Sequence, residues 1–153
     1  LNVAAVTELT IESVRIMQHE GGGTVMNISS VAAFFPFPYF SVYAATKAYV
    51  NSFSEAVDVE VASSGVRVLA ACPGRVATHF GMRASKGFKK EKSSPSFFVM
   101  DVEYAAVQVW KQIEKGKTVR IFDWKYRMAW LLSYIVPRSL LYKNLTTTMK
   151  DLY

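Results

Sequence analysis

The chain has 153 residues, half of them hydrophobic, a formal net charge of +6 and a single cysteine, Cys72. That length supports one modest domain with a real core, and that composition excludes a disordered tail. One cysteine excludes an internal disulfide and suits a reducing, cytoplasmic compartment.

Val3, Val6, Leu9, Val14 and Met17 recur at helical spacing, which predicts a helix from residue 2 to about residue 20. Gly21-Gly22-Gly23 follows that helix and precedes a strand. This is the reverse of a phosphate-cradling strand–turn–helix, so the run reads as a helix stop and turn. Residues 24–28 form a short strand of the buried type. Residues 31–41 are irregular because Pro36 and Pro38 exclude regular structure. They carry Phe34, Phe35, Phe37, Tyr39 and Phe40, either as a packed loop or as one wall of an apolar substrate pocket.

Residues 43–63 read as a long alanine-rich helix ended by Ser64-Gly65, and residues 66–71 as a second buried strand. Residues 75–100, with Gly81, Gly87 and Pro95, have the least regular pattern and are the expected substrate loop. Within it, the lysine run 86–92 reads as a solvated lid that could attract an acidic partner. Asp101 can cap a helix that ends at Gly116, and a third strand covers residues 119–122. Residues 124–143 form an apolar, basic extension broken by Pro137. A helix packed on the protein or on a partner subunit is favoured there over an interfacial helix in peripheral contact with a membrane. Strands alternating with helices predict an α/β fold, a parallel sheet with helices on both faces.

The chemistry lies in three side chains. Tyr43 and Lys47 are four residues apart and share a helix face. An ammonium held beside a phenol favours the phenolate, easing proton exchange by a group whose unperturbed value is ~10. Ser30 ends the first strand segment and offers a hydroxyl to a carbonyl. A proton donor, its electrostatic tuner and a carbonyl-orienting hydroxyl are the equipment for reducing a carbonyl or oxidising an alcohol. His19 and His79 have no cysteine or carboxylate neighbours at ligand spacing, so no metal is expected. The basic residues are scattered rather than interleaved with aromatics, so no nucleic-acid partner is expected.

The order Asn2, Asn27-Ile28-Ser29-Ser30, Tyr43-x-x-x-Lys47 and Pro73-Gly74-x-Val76-x-Thr78 resembles the C-terminal part of a short-chain dehydrogenase/reductase. The resemblance is specific to about residue 78 and looser to residue 120. It implies the C-terminal half of a Rossmann-type doubly wound sheet. It also implies roles: Tyr43 as general acid/base, Lys47 as its tuner and a ligand of the nicotinamide ribose, and Ser30 as the carbonyl-orienting residue. Asn2 would support a proton relay, and Pro73, Gly74, Val76 and Thr78 would contact the cofactor. That cofactor is NAD or NADP, with NADP preferred.

No Gly-x-x-x-Gly-x-Gly turn occurs in the 153 residues, so residues 1–153 are expected to be a partial domain lacking its nucleotide-binding half. The resemblance implies an apolar ketone, alcohol or 3-oxoacyl substrate and a homo-oligomer for the whole protein. The other reading is a non-catalytic fragment that acts only in association. Residues 1–10 lack both a basic start and a long apolar core, so no signal peptide is expected there.

Overall fold

A computed structural model describes residues 2–78 and 99–137, together with residues 139, 140, 142 and 146. Helix α1 (Ala4–His19) leads into strand β1 (Gly23–Ile28). A single 3-10 turn (Val31–Phe34) and the two prolines then separate β1 from helix α2 (Ser41–Val61). Strand β2 (Val66–Cys72) follows a second 3-10 turn (Ala62–Ser64) and Gly65. The short strands β3 (Arg75–Val76) and β4 (Val99–Met100) come next, then helix α3 (Val102–Lys115), strand β5 (Val119–Ile121) and helix α4 (Trp124–Ser133).

The boundaries differ from the sequence expectation by one or two residues, as helix ends usually do. The larger difference is the β3–β4 pair. It closes the two ends of the 75–100 segment in parallel register, Arg75 beside Val99 and Val76 beside Met100. The interior of that segment, with His79 and the lysine run, lies outside the described residues.

Among the described residues the main sheet has the order β1-β2-β5, with both pairings parallel. Side chains of a strand alternate between faces. Val66 and Val68 of β2 therefore meet Val14 of α1 and Val61 of α2 on one face. Ala71 meets Met100 and Phe122 on the other, with Val109 of α3 and Tyr126 of α4 packed against them. The sheet is thus covered by helices on both faces, as its β2 requires, in which Val66, Val68, Leu69, Ala70 and Ala71 are fully buried and Arg67 alone is polar.

Two polar networks tie these layers together. Thr10 Oγ1 of α1 donates to Asn27 Oδ1 of β1 at 3.2 Å, and Asn27 Nδ2 donates to Ser54 Oγ of α2 at 3.0 Å. This is why α1 turns Thr10 inward while Leu9, part of the expected apolar stripe, is 68% exposed. The second network centres on Asp58 of α2. Its carboxylate accepts from Arg67 Nε (2.8 Å) and Nη2 (2.9 Å), from Val68 N–H (2.8 Å) and from Thr118 Oγ1 (2.6 Å). One buried side chain therefore fastens α2, β2 and the approach to β5.

Candidate active site

The site grows from the carboxyl ends of the parallel strands, where α/β sheets open a crevice for ligands. Past the end of β1 the chain stays alongside the β2 segment. Ser29 N–H donates to Ala71 O at 2.7 Å and Val31 N–H to Pro73 O at 3.0 Å. Ser30 is held between those two bonds, beside the Pro73-Gly74 turn. Its extended backbone makes it the N-cap of the 3-10 turn, with Oγ accepting from Ala32 N–H at 3.2 Å. A hydroxyl both donates and accepts, so this bond leaves the Ser30 O–H as a donor.

Helix α2 is docked onto the same strand end. Ser29 Oγ, buried, donates to the Lys47 carbonyl at 3.0 Å, and Lys47 Nζ donates to the Ile28 carbonyl at 2.9 Å. Tyr43 lies one turn earlier, half-buried, and the Lys47 ammonium stands 5.7 Å from its ring centroid. The structure thus brings Lys47 to Tyr43 and fixes Ser30 two residues beyond the carbonyl that Lys47 grips. Burial pushes the Lys47 ammonium below the ordinary lysine value, with Cys72 acting weakly the other way. Cys72 itself is fully buried, and burial pushes its thiol up to about 11. It is a packed thiol, not a reactive one.

The remaining expected residues are spread around this centre. Asn2 is exposed in the turn ahead of α1. Helix α1 runs against β1, with Met17 over Gly23 and Thr10 over Asn27, so its first turn lies at the Ile28 end of the strand. Val76 packs on the Ala71–Phe122 cluster, and Thr78 N–H donates to Val76 O at 2.8 Å with its side chain exposed. Gly74 is a glycine for a reason the sequence hid. The space where its Cβ would stand holds the ring of Tyr126.

The aromatic segment 31–41 lines an apolar groove of about 760 Å³ with Ala44, Ala45 and Ala48 of α2. At 100° per residue Ala45 and Ala48 sit further round α2 than Tyr43 and Lys47, while Ala44 stands about 60° from Lys47, so the groove borders the Tyr43–Lys47 face rather than coinciding with it. Phe34 also touches helix α4, its ring 5.5 Å from that of Trp130. Tyr126 and Trp130 on this inner side of α4 are half-buried, while Trp124, Met128, Leu131 and Leu132 form an exposed outer stripe. The described part of the 124–143 segment makes packing contacts through Tyr126 and Trp130. No helix among the described residues is long and apolar enough to cross a membrane.

A parallel sheet clothed on both faces by helices is a Rossmann-like α/β framework. The chain belongs to the short-chain dehydrogenase family, whose sequence profile matches residues 1–89. It is 33% identical over 142 residues to a very-long-chain 3-oxoacyl-CoA reductase-like protein of Arabidopsis thaliana, covering 92% of this chain and 44% of that protein. It is 30% identical to the mouse (Mus musculus) 17-beta-hydroxysteroid dehydrogenase type 3 over 69% of this chain and 34% of that one. Among solved structures, a short-chain dehydrogenase of Sphingobium yanoikuyae in complex with NADPH superposes with a TM-score of 0.74 and 26% identity. That match covers all of this chain and 55% of the other. The chain therefore spans about half or less of the length of the relatives it matches.

Proposed function

We propose that this chain carries the proton-transferring half of a nicotinamide-dependent carbonyl reductase or alcohol dehydrogenase. The observation that carries the reading is the anchoring of Lys47 at the strand end through Ile28 and Ser29, with the Tyr43 ring beside its ammonium and Ser30 the next residue along the chain. Residues at the carboxyl edge of a parallel sheet fit a dinucleotide lying across it. Lys47 and the backbone around Pro73, Val76 and Thr78 would hold its nicotinamide end. When bound, NAD or NADP supplies the hydride.

In reduction, the Ser30 hydroxyl donates to the substrate carbonyl oxygen and steadies the charge that builds there. Tyr43 gives that oxygen its proton as the carbon accepts hydride, and the alcohol leaves. Lys47, positively charged and within reach of the Tyr43 ring, favours the phenolate that remains. Asn2, at the same end of the sheet, would pass a proton from solvent towards Lys47. Oxidation of an alcohol runs the same transfers backwards. The alternative, a non-catalytic chain that acts only in association, has no use for this trio.

The substrate we propose is an apolar ketone or 3-oxoacyl compound. The segment that joins Ser30 to Tyr43 contains no charged residue and four phenylalanines. The names of the Arabidopsis and mouse relatives point the same way. An apolar lining prefers the longer substrate by about 0.8 kcal/mol per buried methylene. In the longest natural protein that contains this chain, kcat/KM should rise roughly ten- to a hundredfold over a few added carbons. A flat profile along a homologous ketone or 3-oxoacyl series, or one that favours the shortest member, removes the apolar substrate from the account.

A further inference from the structure

The turn between β2 and β3 contains a glycine that its backbone conformation does not demand, since Gly74 is not among the residues with positive φ. What demands it is a side chain. A Cβ on Gly74 would stand 2.5 Å from Cζ of Tyr126 and closer still to Cε2, an overlap that no small adjustment removes. Tyr126 is half-buried against Ala71, Met100 and Phe122, and its hydroxyl accepts from Arg75 N–H at 3.4 Å. The ring therefore contacts the turn at two successive residues.

The helix that presents Tyr126 is itself fixed to the sheet. Asp123 caps α4 by accepting from Lys125 N–H at 3.1 Å, and Arg127 Nε donates to the Ile121 carbonyl at 2.7 Å. One turn beyond Tyr126, Trp130 meets Phe34 of the segment that follows Ser30. Helix α4 thus touches both loops that flank the Ser30–Tyr43–Lys47 centre.

We infer that Tyr126 is a positioning residue. Its ring, seated in the gap left by Gly74, sets the path of Pro73-Gly74-Arg75 and through it the backbone offered to the nicotinamide. The second half of this statement rests on the proposed function; the pairing of Gly74 with the Tyr126 ring does not. A glycine beside a ligand usually makes room for the ligand. Here the missing methyl makes room for the protein's own aromatic side.

The test is a double-mutant cycle in the longest natural protein that contains this chain, read by melting temperature and by cofactor KM and kcat separately. Gly74→Ala should lower the melting temperature and raise cofactor KM at least about tenfold, with a smaller change in kcat, because the turn is displaced. In a Tyr126→Ala background the same alanine should cost almost nothing, since the ring it struck is gone. In a Tyr126→Phe background it should cost as much as in the unmodified protein, because the ring remains. Equal, additive costs of Gly74→Ala in all three backgrounds would overturn the pairing. Coupling in melting temperature without any in cofactor KM would overturn the positioning role and leave a packing contact. Absence of nicotinamide turnover in the unmodified protein would overturn the proposed function and the positioning role with it. The melting temperatures would still decide the pairing.

Discussion

Replacing Tyr43 by phenylalanine should lower turnover at least about 100-fold, the lower end of the range for a lost general acid. The substitution keeps the ring that stands beside the Lys47 ammonium and removes the hydroxyl that carries the transferable proton. KM for the carbonyl substrate should move far less than kcat, since Ser30 still receives the oxygen. The check is steady-state kinetics with the best available ketone, alongside a melting curve to show that the fold is kept. Undiminished turnover in Tyr43→Phe would take the proton transfer away from this residue and with it the roles given to Lys47 and Ser30.

Loss of the Asp58 carboxylate should have the largest effect on stability. Burial alone would raise its pKa. The hydrogen bonds from Arg67, Thr118 and the Val68 amide, together with the Arg67 charge, outweigh burial and hold the carboxyl down at about 2. The side chain is 7% exposed, so solvent does little to screen these bonds. A carboxylate depressed on folding stabilises the native state fully above its unfolded value of ~3.9 and loses that contribution as pH falls towards 2. The contribution at neutral pH is on the order of 2–3 kcal/mol.

Asp58→Ala should cost about 3 kcal/mol at pH 7, the lower end for a broken buried pair because Arg67 is partly exposed. Denaturant unfolding from pH 7 to pH 2 checks both statements. The wild type should weaken most steeply between about pH 4 and 2, and the mutant should lack that limb. A mutant within 0.5 kcal/mol of wild type, roughly the scatter of ordinary surface changes, would remove Asp58 from its central place.

Local relations were more legible in the sequence than distant ones. The proximity of Tyr43 and Lys47 could be read because a spacing of four puts both side chains on one helix face. The Asp101 cap and the Gly116 stop were legible for a similar reason, since capping is local and Asp101 does accept from Glu103 N–H and Tyr104 N–H. Asp58 was not legible. Its partners lie 9, 10 and 60 residues away, and nothing local distinguishes it from a solvated helix carboxylate. Gly74 was legible as a close approach but not as an approach to Tyr126, which is 52 positions further along the chain.

The aromatic run 34–40 shows the limit in another way. Composition marks it as apolar, yet only the helical phase of Ala44, Ala45 and Ala48 reveals that its groove borders the Tyr43–Lys47 face rather than coinciding with it. The β3–β4 pair was hidden because two-residue strands carry no periodicity to detect.

The central claim is that this chain supplies the proton while a nicotinamide supplies the hydride to a carbonyl carbon. The most direct measurement uses reduced dinucleotide deuterated at the transferring position, an apolar ketone and the longest natural protein that contains this chain. Mass spectrometry of the product alcohol reads the outcome. The account predicts deuterium on the carbinol carbon, formed in step with nicotinamide oxidation and reduced at least about 100-fold in rate by Tyr43→Phe. An alcohol without deuterium, or no oxidation of either NADH or NADPH across a series of apolar ketones, would contradict it and favour a chain that acts only in association.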